Sequence, residues 1–221
     1  RKLDEKYVET GFRHGQTITA CLVALSHGTN DAQKTMGIIT LTLIAVGLQP
    51  SGSGPQLWVI AVCGLAIALG TYMGGWRVIR TLGKGLTEIA TPQGFAAEAS
   101  SATTILVSSH LGFALSTTQV CSGSIIGSGL GKKGGAIDWK VAARMLIAWL
   151  VTFPAAGVIG AAACAVAKIN VWGTLAVAAI AVVAALIIFR LSRRNPVNAM
   201  NVNEGSEVKV NAKVATASAA A

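Results

Sequence analysis

Ser26-His27-Gly28-Thr29-Asn30-Asp31-Ala32-Gln33-Lys34 is a polar run set inside a mostly apolar stretch that extends from Gly15 to Leu48. An unbroken helix over that stretch would measure about 50 Å, against roughly 30 Å of bilayer hydrocarbon. The run therefore predicts a helix broken at a polar middle. Ionisable groups inside a membrane segment are costly and are functional candidates wherever they occur. Asp31 and Lys34 lie three apart, a spacing at which a helical turn lets them neutralise each other. Two readings follow. In one, Asn30 and Asp31 cap a helix and pair with Lys34 at a membrane boundary. In the other, carbonyls freed by the break join the Asp31 carboxylate in holding a cation, as discontinuous helices do in secondary transporters.

The rest of the chain agrees with a membrane setting. Of 221 residues, 52% are hydrophobic and only 12% charged, with a mean hydropathy of +0.60. Soluble domains carry about 25% charged residues. Glycine is frequent, at 25 residues, and aromatic residues are scarce, which suits closely packed membrane helices. The net charge of +9 does not mark a nucleic-acid surface, because the basic residues sit in short connections between apolar runs. Cys21, Cys63, Cys121 and Cys164 each lie in an apolar run and form no CxxC pair, so they read as small buried residues.

Outward from the first stretch, Gln49–Gln56 is an uncharged turn region and Leu57–Gly75 a spanning segment. Trp76–Pro92 is a basic connection with Arg77, Arg80 and Lys84. Gln93–Gly131, rich in Ser, Thr and Gly, reads as a helical hairpin or two short helices meeting inside the membrane. Val141–Ala167, with a kink expected at Pro154, and Gly173–Phe189 are further spans. With the first residues in the cytoplasm and a hairpin that re-enters, every basic cluster falls on one side, as the positive-inside rule requires. The expected domains are a cytoplasmic segment 1–14, a transmembrane repeat 15–190 and a disordered cytoplasmic tail 191–221.

Two further places carry candidate chemistry. Ser116-Thr117-Thr118 offers hydroxyls and free backbone N–H groups at a helix start, an anion site that needs no arginine. The plain alternative is an N-cap serine with back-bonding neighbours. Glu98, in Gly94-Phe95-Ala96-Ala97-Glu98, is either a transport carboxylate or one that snorkels to the interface. His110 reads as a satisfied polar residue rather than a ligand, and His14 has no expected role.

Taken in order, these residues resemble the inorganic phosphate transporter (PiT) family. Gly28-Thr29-Asn30-Asp31-Ala32-Gln33-Lys34 is similar to its G-x-N-D-x-x-K signature, and Ser116-Thr117-Thr118 to its S-T-T-H motif. Gly94–Glu98 resembles a glutamate-bearing segment of animal members, and Ala148-Trp149-Leu150-Val151-Thr152-Phe153-Pro154-Ala155 the pattern A-W-x-x-T-x-P-A. The resemblance covers roughly residues 20–165. It implies cation-coupled phosphate uptake, with sodium or protons as the driving ion and no resident cofactor. Phosphate binding falls on Asn30, Asp31, Ser116, Thr117 and Thr118, and cation coupling on Asn30, Asp31 and Glu98. It also implies an N-terminal repeat, inverted relative to this one, as the missing partner, with a homodimer of the whole protein compatible. Two positions depart from the family. Gly112–Leu115 lacks the usual proline, and Gln119 stands where histidine is usual, so no proton relay is implied there.

The fold class expected is thus an all-α integral membrane bundle with a broken helix and a re-entrant hairpin, one half of an inverted-repeat transporter in the plasma membrane. The absence of an initiator Met at Arg1 adds to the expectation of a fragment. A carrier for another oxyanion or a metal–phosphate complex is an alternative substrate reading. A membrane enzyme acting on phosphate esters is a remoter alternative, since no nucleophile–base pair, metal-ligand cluster or nucleotide motif is evident.

Overall fold

The computed structural model of the chain describes residues 5–132, 135–193, 197 and 200–202. Its helices are α1 (Glu5–Ala45), α2 (Leu57–Met73), α3 (Trp76–Arg80), α4 (Thr91–His110), α5 (Thr117–Gly131), α6 (Trp139–Ala167) and α7 (Val171–Ser192), with a π-helical turn at Thr81–Gly85. No strand occurs among the described residues; Thr87 and Ile137 form an isolated bridge. The chain divides into two compact units, the first ending at Ile137 and the second beginning at Asp138. Among the described residues, two helices, Trp139–Ala167 and Val171–Leu191, are long and apolar enough to cross a membrane, and Leu57–Tyr72 is a shorter apolar helix.

The first stretch is not broken. α1 runs as one 41-residue helix from Glu5 to Ala45, straight through Asn30. At 1.5 Å per residue it is about 60 Å long, so it cannot lie wholly within the hydrocarbon. Within its polar run, two hydroxyls find acceptors on the helix itself without opening the backbone. Ser26 donates to the carbonyl of Leu22 at 2.6 Å, and Thr29 to that of Leu25 at 2.9 Å. The helix also begins inside the expected cytoplasmic segment 1–14, with no interruption at residue 14. At the other end α7 continues to Ser192, two residues into the expected tail; from residue 203 onward that tail lies outside the described residues.

The second polar stretch does break. α4 ends at His110 and α5 begins at Thr117. Gly112, at φ +79°, turns the chain in the left-handed region. The Phe113 amide reaches back to the carbonyl of Ser108 at 2.9 Å and the Gly112 amide to that of Ser109 at 3.2 Å, the paired bonds of a Schellman stop. Ser116 then caps α5, its hydroxyl oxygen accepting from the Gln119 amide. With 20 and 15 residues the two helices are about 30 Å and 22 Å long, which makes α5 too short to cross alone.

In the first unit, α1 packs on α2, α4 and α5, and α4 packs on α5. The buried face of α4 is Gly94, Ala97, Ser101, Ala102, Ile105 and Ser108, all small except Ile105 and at helical spacing that lets α1 come close. Gly15 faces the Phe95 ring and Gly94 faces the Gln16 side chain. Phe12 meets Phe95 edge to face at 5.8 Å. The surface is the inverse: Leu22, Ile38, Leu57, Leu106 and Phe113 are all exposed, while Ser26, Asn30, Thr117 and Ser122 are buried. Such an apolar exterior belongs in lipid rather than water.

The second unit is the pair α6 and α7. Asp138 caps α6 by accepting from the Lys140 and Val141 amides, and Asn170 caps α7 by accepting from that of Gly173. Pro154 lies inside α6 without ending it. A Cβ at Gly173 would run into the Val166 carbonyl, so only glycine fits that turn.

The foot of the hairpin is equally tight. A Cβ at Gly129 would meet Thr87 Oγ1 at 2.9 Å and Cγ2 at 3.1 Å, and Thr87 is itself buried and bonded to the Ala136 carbonyl. Gly129→Ala should therefore destabilise the chain by about 1–3 kcal/mol. Gly123→Ala, with nothing within 4 Å of its Cβ, should be neutral or stabilising by up to about 1 kcal/mol. Thermal unfolding in detergent, followed by tryptophan fluorescence, compares the two. Equal transitions would remove the Thr87–Gly129 contact from the fold's supports.

Candidate functional site

The polar run of α1 and the tip of the hairpin meet. Asn30 Nδ2 donates to the Leu115 carbonyl at 2.9 Å and to Asp31 Oδ1 at 3.0 Å. Lys34 Nζ donates to the same two oxygens, at 2.6 Å and 3.0 Å. Thr117 Oγ1 donates to Asp31 Oδ2 at 3.2 Å. His27 Nδ1 lies 3.0 Å from Thr117 Oγ1 and 3.2 Å from Asp31 Oδ2. Ser109 reaches Asn30 Oδ1 at 3.4 Å. Both carboxylate oxygens are thus engaged, and the carbonyl left at the hairpin break has two donors.

Helical spacing puts the donors where they are needed. His27 is one turn before Asp31 and Lys34 one turn after it, so both reach the carboxylate along one face. Asp31 also lies at the start of α5, where the helix dipole favours negative charge by about 0.3–1 kcal/mol. The first amides of α5 have no partner within that helix, and the hydroxyls of Ser116 and Thr118 are exposed beside them.

Among the residues expected to act, Asn30, Asp31 and Thr117 are in direct contact, and Ser116 and Thr118 flank Thr117. The three hydroxyls are not equivalent. Thr117 is buried and its proton goes to Asp31, whereas Ser116 and Thr118 face outward. Glu98 does not join them. It accepts from Thr19 Oγ1 at 2.7 Å and lines a cavity with Arg13, Gln16 and Cys21. Thr19 precedes Asn30 by 11 residues on α1, a rise of about 16 Å. Sequence reasoning missed the Leu115 carbonyl and gave His27 no role; the only signal for His27 was its position four residues before Asp31.

Comparison with known proteins adds four findings. The family model described as the phosphate transporter family matches residues 1–160. A Mycobacterium leprae protein, named a probable low-affinity inorganic phosphate transporter, is 52% identical over 94% of this chain and 51% of its own length. A Rhizobium meliloti protein of the same name is 43% identical over 70% of this chain and 46% of its own length. A solved structure described as the sodium-dependent phosphate transporter matches with a TM-score of 0.61 and 30% identity, over 70% of this chain and 39% of that one. The chain spans about half the length of the curated relatives it matches.

Asn30 is the hinge of the clasp, since it bonds both Asp31 and Leu115. Asn30→Leu removes those bonds from a buried position and should cost about 1–3 kcal/mol. Mass-spectrometric hydrogen exchange should show faster exchange in a peptide covering residues 111–116, with the foot of the hairpin unchanged. Unaltered exchange at the tip would show that the clasp does not hold it.

Proposed function

The chain belongs to the phosphate transporter family, and on that premise we propose that it is the C-terminal half of a multi-pass plasma-membrane carrier for inorganic phosphate, driven by a co-transported cation. One observation carries the reading. Residues 85 and 86 positions apart in sequence, Asn30 with Leu115 and Asp31 with Thr117, are joined by side-chain hydrogen bonds. They put a carboxylate beside the start of α5, which is one group for a cation next to several donors for an anion.

Phosphate is held at the outward side of the α5 start. Ser116 and Thr118 donate through their hydroxyls and the first amides through N–H, with the helix dipole behind them. All these donors are neutral, which lets a tetrahedral anion leave again. Thr117 binds Asp31 and couples the two sites rather than gripping the anion. Asp31 and Asn30 receive the cation, because a cation leaving water needs a charged oxygen to offset lost hydration. The solved relative is sodium-dependent by its description, which favours sodium over protons here. An N-terminal repeat of opposite orientation supplies the other wall, and the carrier alternates by moving one repeat against the other. Glu98 belongs to the α1–α4 seam and acts at a distance from the anion. A different oxyanion or a metal–phosphate complex remains a second substrate reading, separable by competition with sulfate and by omission of divalent metal.

The test uses the full-length transporter carrying this chain, reconstituted in vesicles with radiolabelled phosphate. Asp31→Asn keeps the size and removes the charge; it should abolish the dependence of uptake on sodium. Thr118→Val deletes a donor to a charged ligand, a loss of about 1.5–3 kcal/mol, and should raise the half-saturating phosphate concentration about ten- to a hundredfold. Its sodium dependence should be kept. Near-normal uptake in both would return these residues to helix capping. The chain reconstituted without its partner repeat should give no uptake above empty vesicles.

A further inference from the structure

Two oxygens face each other across the clasp, Asp31 Oδ1 and the Leu115 carbonyl. Both are claimed by the same two donors, Lys34 Nζ at 3.0 and 2.6 Å and Asn30 Nδ2 at 3.0 and 2.9 Å. A carboxylate oxygen and a backbone carbonyl are the ligand types a hard cation takes. Here an ammonium group sits between them. We propose that Lys34 is a tethered stand-in for the coupling cation, occupying the Asp31–Leu115 oxygen pair while the site is empty of ion and leaving when the ion arrives.

The inference rests on the reading that the ion binds at Asp31, and goes beyond it in naming what the ion displaces. Electrostatics supplies the first argument. A carboxylate in an apolar segment stripped of its partner is strongly destabilised, but exchanging one positive charge for another leaves it compensated throughout. Reach supplies the second. Lys34 is 38% exposed and its ammonium rides on a flexible four-carbon stem, so it can withdraw without moving α1. Asn30 supplies the third. Its amide now presents nitrogen to both oxygens; turned end for end, it presents Oδ1 instead, giving three oxygens around one point. A permanent tie or a phosphate ligand would use Lys34 differently. As a tie, it would not compete with the ion; as a phosphate ligand, it would set the affinity for the anion.

The experiment is phosphate uptake by the reconstituted full-length transporter, titrated with sodium against a choline background at saturating phosphate. Lys34→Gln removes an intramolecular competitor present at millimolar or higher effective concentration, and should lower the half-saturating sodium concentration by about fivefold or more. The half-saturating phosphate concentration at saturating sodium should stay at the parent value. Lys34→Arg keeps a tethered cation and should need as much sodium as the parent or more. Equal sodium requirements in Lys34→Gln and Lys34→Arg would overturn the proposal, as would a raised phosphate requirement in Lys34→Gln. If Lys34→Gln inserts but does not transport, sodium-dependent thermal stabilisation in detergent takes over as the readout. Its midpoint must again fall at least about fivefold below the parent's, and an unshifted midpoint overturns the proposal. Unchanged sodium dependence in Asp31→Asn would overturn the ion assignment itself, and this inference with it. A normal loss in Asp31→Asn with no shift in Lys34→Gln would overturn only the role given to Lys34.

Discussion

A backbone carbonyl exposed by a break in helical structure has no water to turn to inside a bilayer, and the arrangement of the first unit follows from that constraint. The hairpin has to end α4 and start α5 within six residues, and some of the polar groups this frees are absorbed locally. Gly112 and the Schellman bonds use two carbonyls of α4, and the hydroxyl of Ser116 takes an amide of α5. Leu115 O is satisfied only from outside, by Asn30 and Lys34 of α1. The polar run in α1 is thus the complement of the break in its neighbour. Polarity on one helix and discontinuity on another form a single feature, and the carboxylate that balances Lys34 comes with it.

Packing follows the same logic. Burying Ser26, Asn30, Thr117 and Ser122 while exposing Leu22, Leu57 and Phe113 inverts the order of a water-soluble core. Between helices in lipid there is little hydrophobic gain, so close approach and hydrogen bonds hold them together. Gly15 and Gly94 serve the approach; Thr19 with Glu98, and Asn30 with Leu115, serve the bonding. Thr19–Glu98 ties α1 to α4, and Asn30–Leu115 ties α1 to the connection between α4 and α5.

Much of this was legible in the residues. The apolar runs gave α2, α6 and α7 to within a few positions, and the hydroxyl triplet Ser116-Thr117-Thr118 marked the start of α5. The resemblance implied one site shared by Asn30, Asp31 and Ser116–Thr118; the structure brings Asn30 and Asp31 to the start of α5, but from within an unbroken helix rather than from a second break. The continuity of α1 was not legible. Serine and threonine return hydrogen bonds to their own helix and so disguise a polar run as a break; Ser26 and Thr29 do this here. Leu115 was invisible for another reason: its contribution is a backbone oxygen, which no residue type announces. Glu98 was grouped with Asp31 by the family resemblance, and a motif says nothing about the rise along α1 that separates them.

The long sequence separation of the clasp has a consequence for biosynthesis. Asp31 and Lys34 leave the ribosome more than 80 residues before Leu115 and Thr117. On the proposed reading of α1 as a membrane helix, it enters the bilayer during that interval with its later partners not yet made. An aspartate and a lysine alone at the middle of a segment would each resist insertion by roughly 2.5–3.5 kcal/mol. Three residues apart on one helical face, they present the translocation machinery with a neutral pair instead. The same ion pair that later sits beneath the hairpin tip can therefore serve first as an escort, carrying its own helix into the bilayer before the hairpin exists.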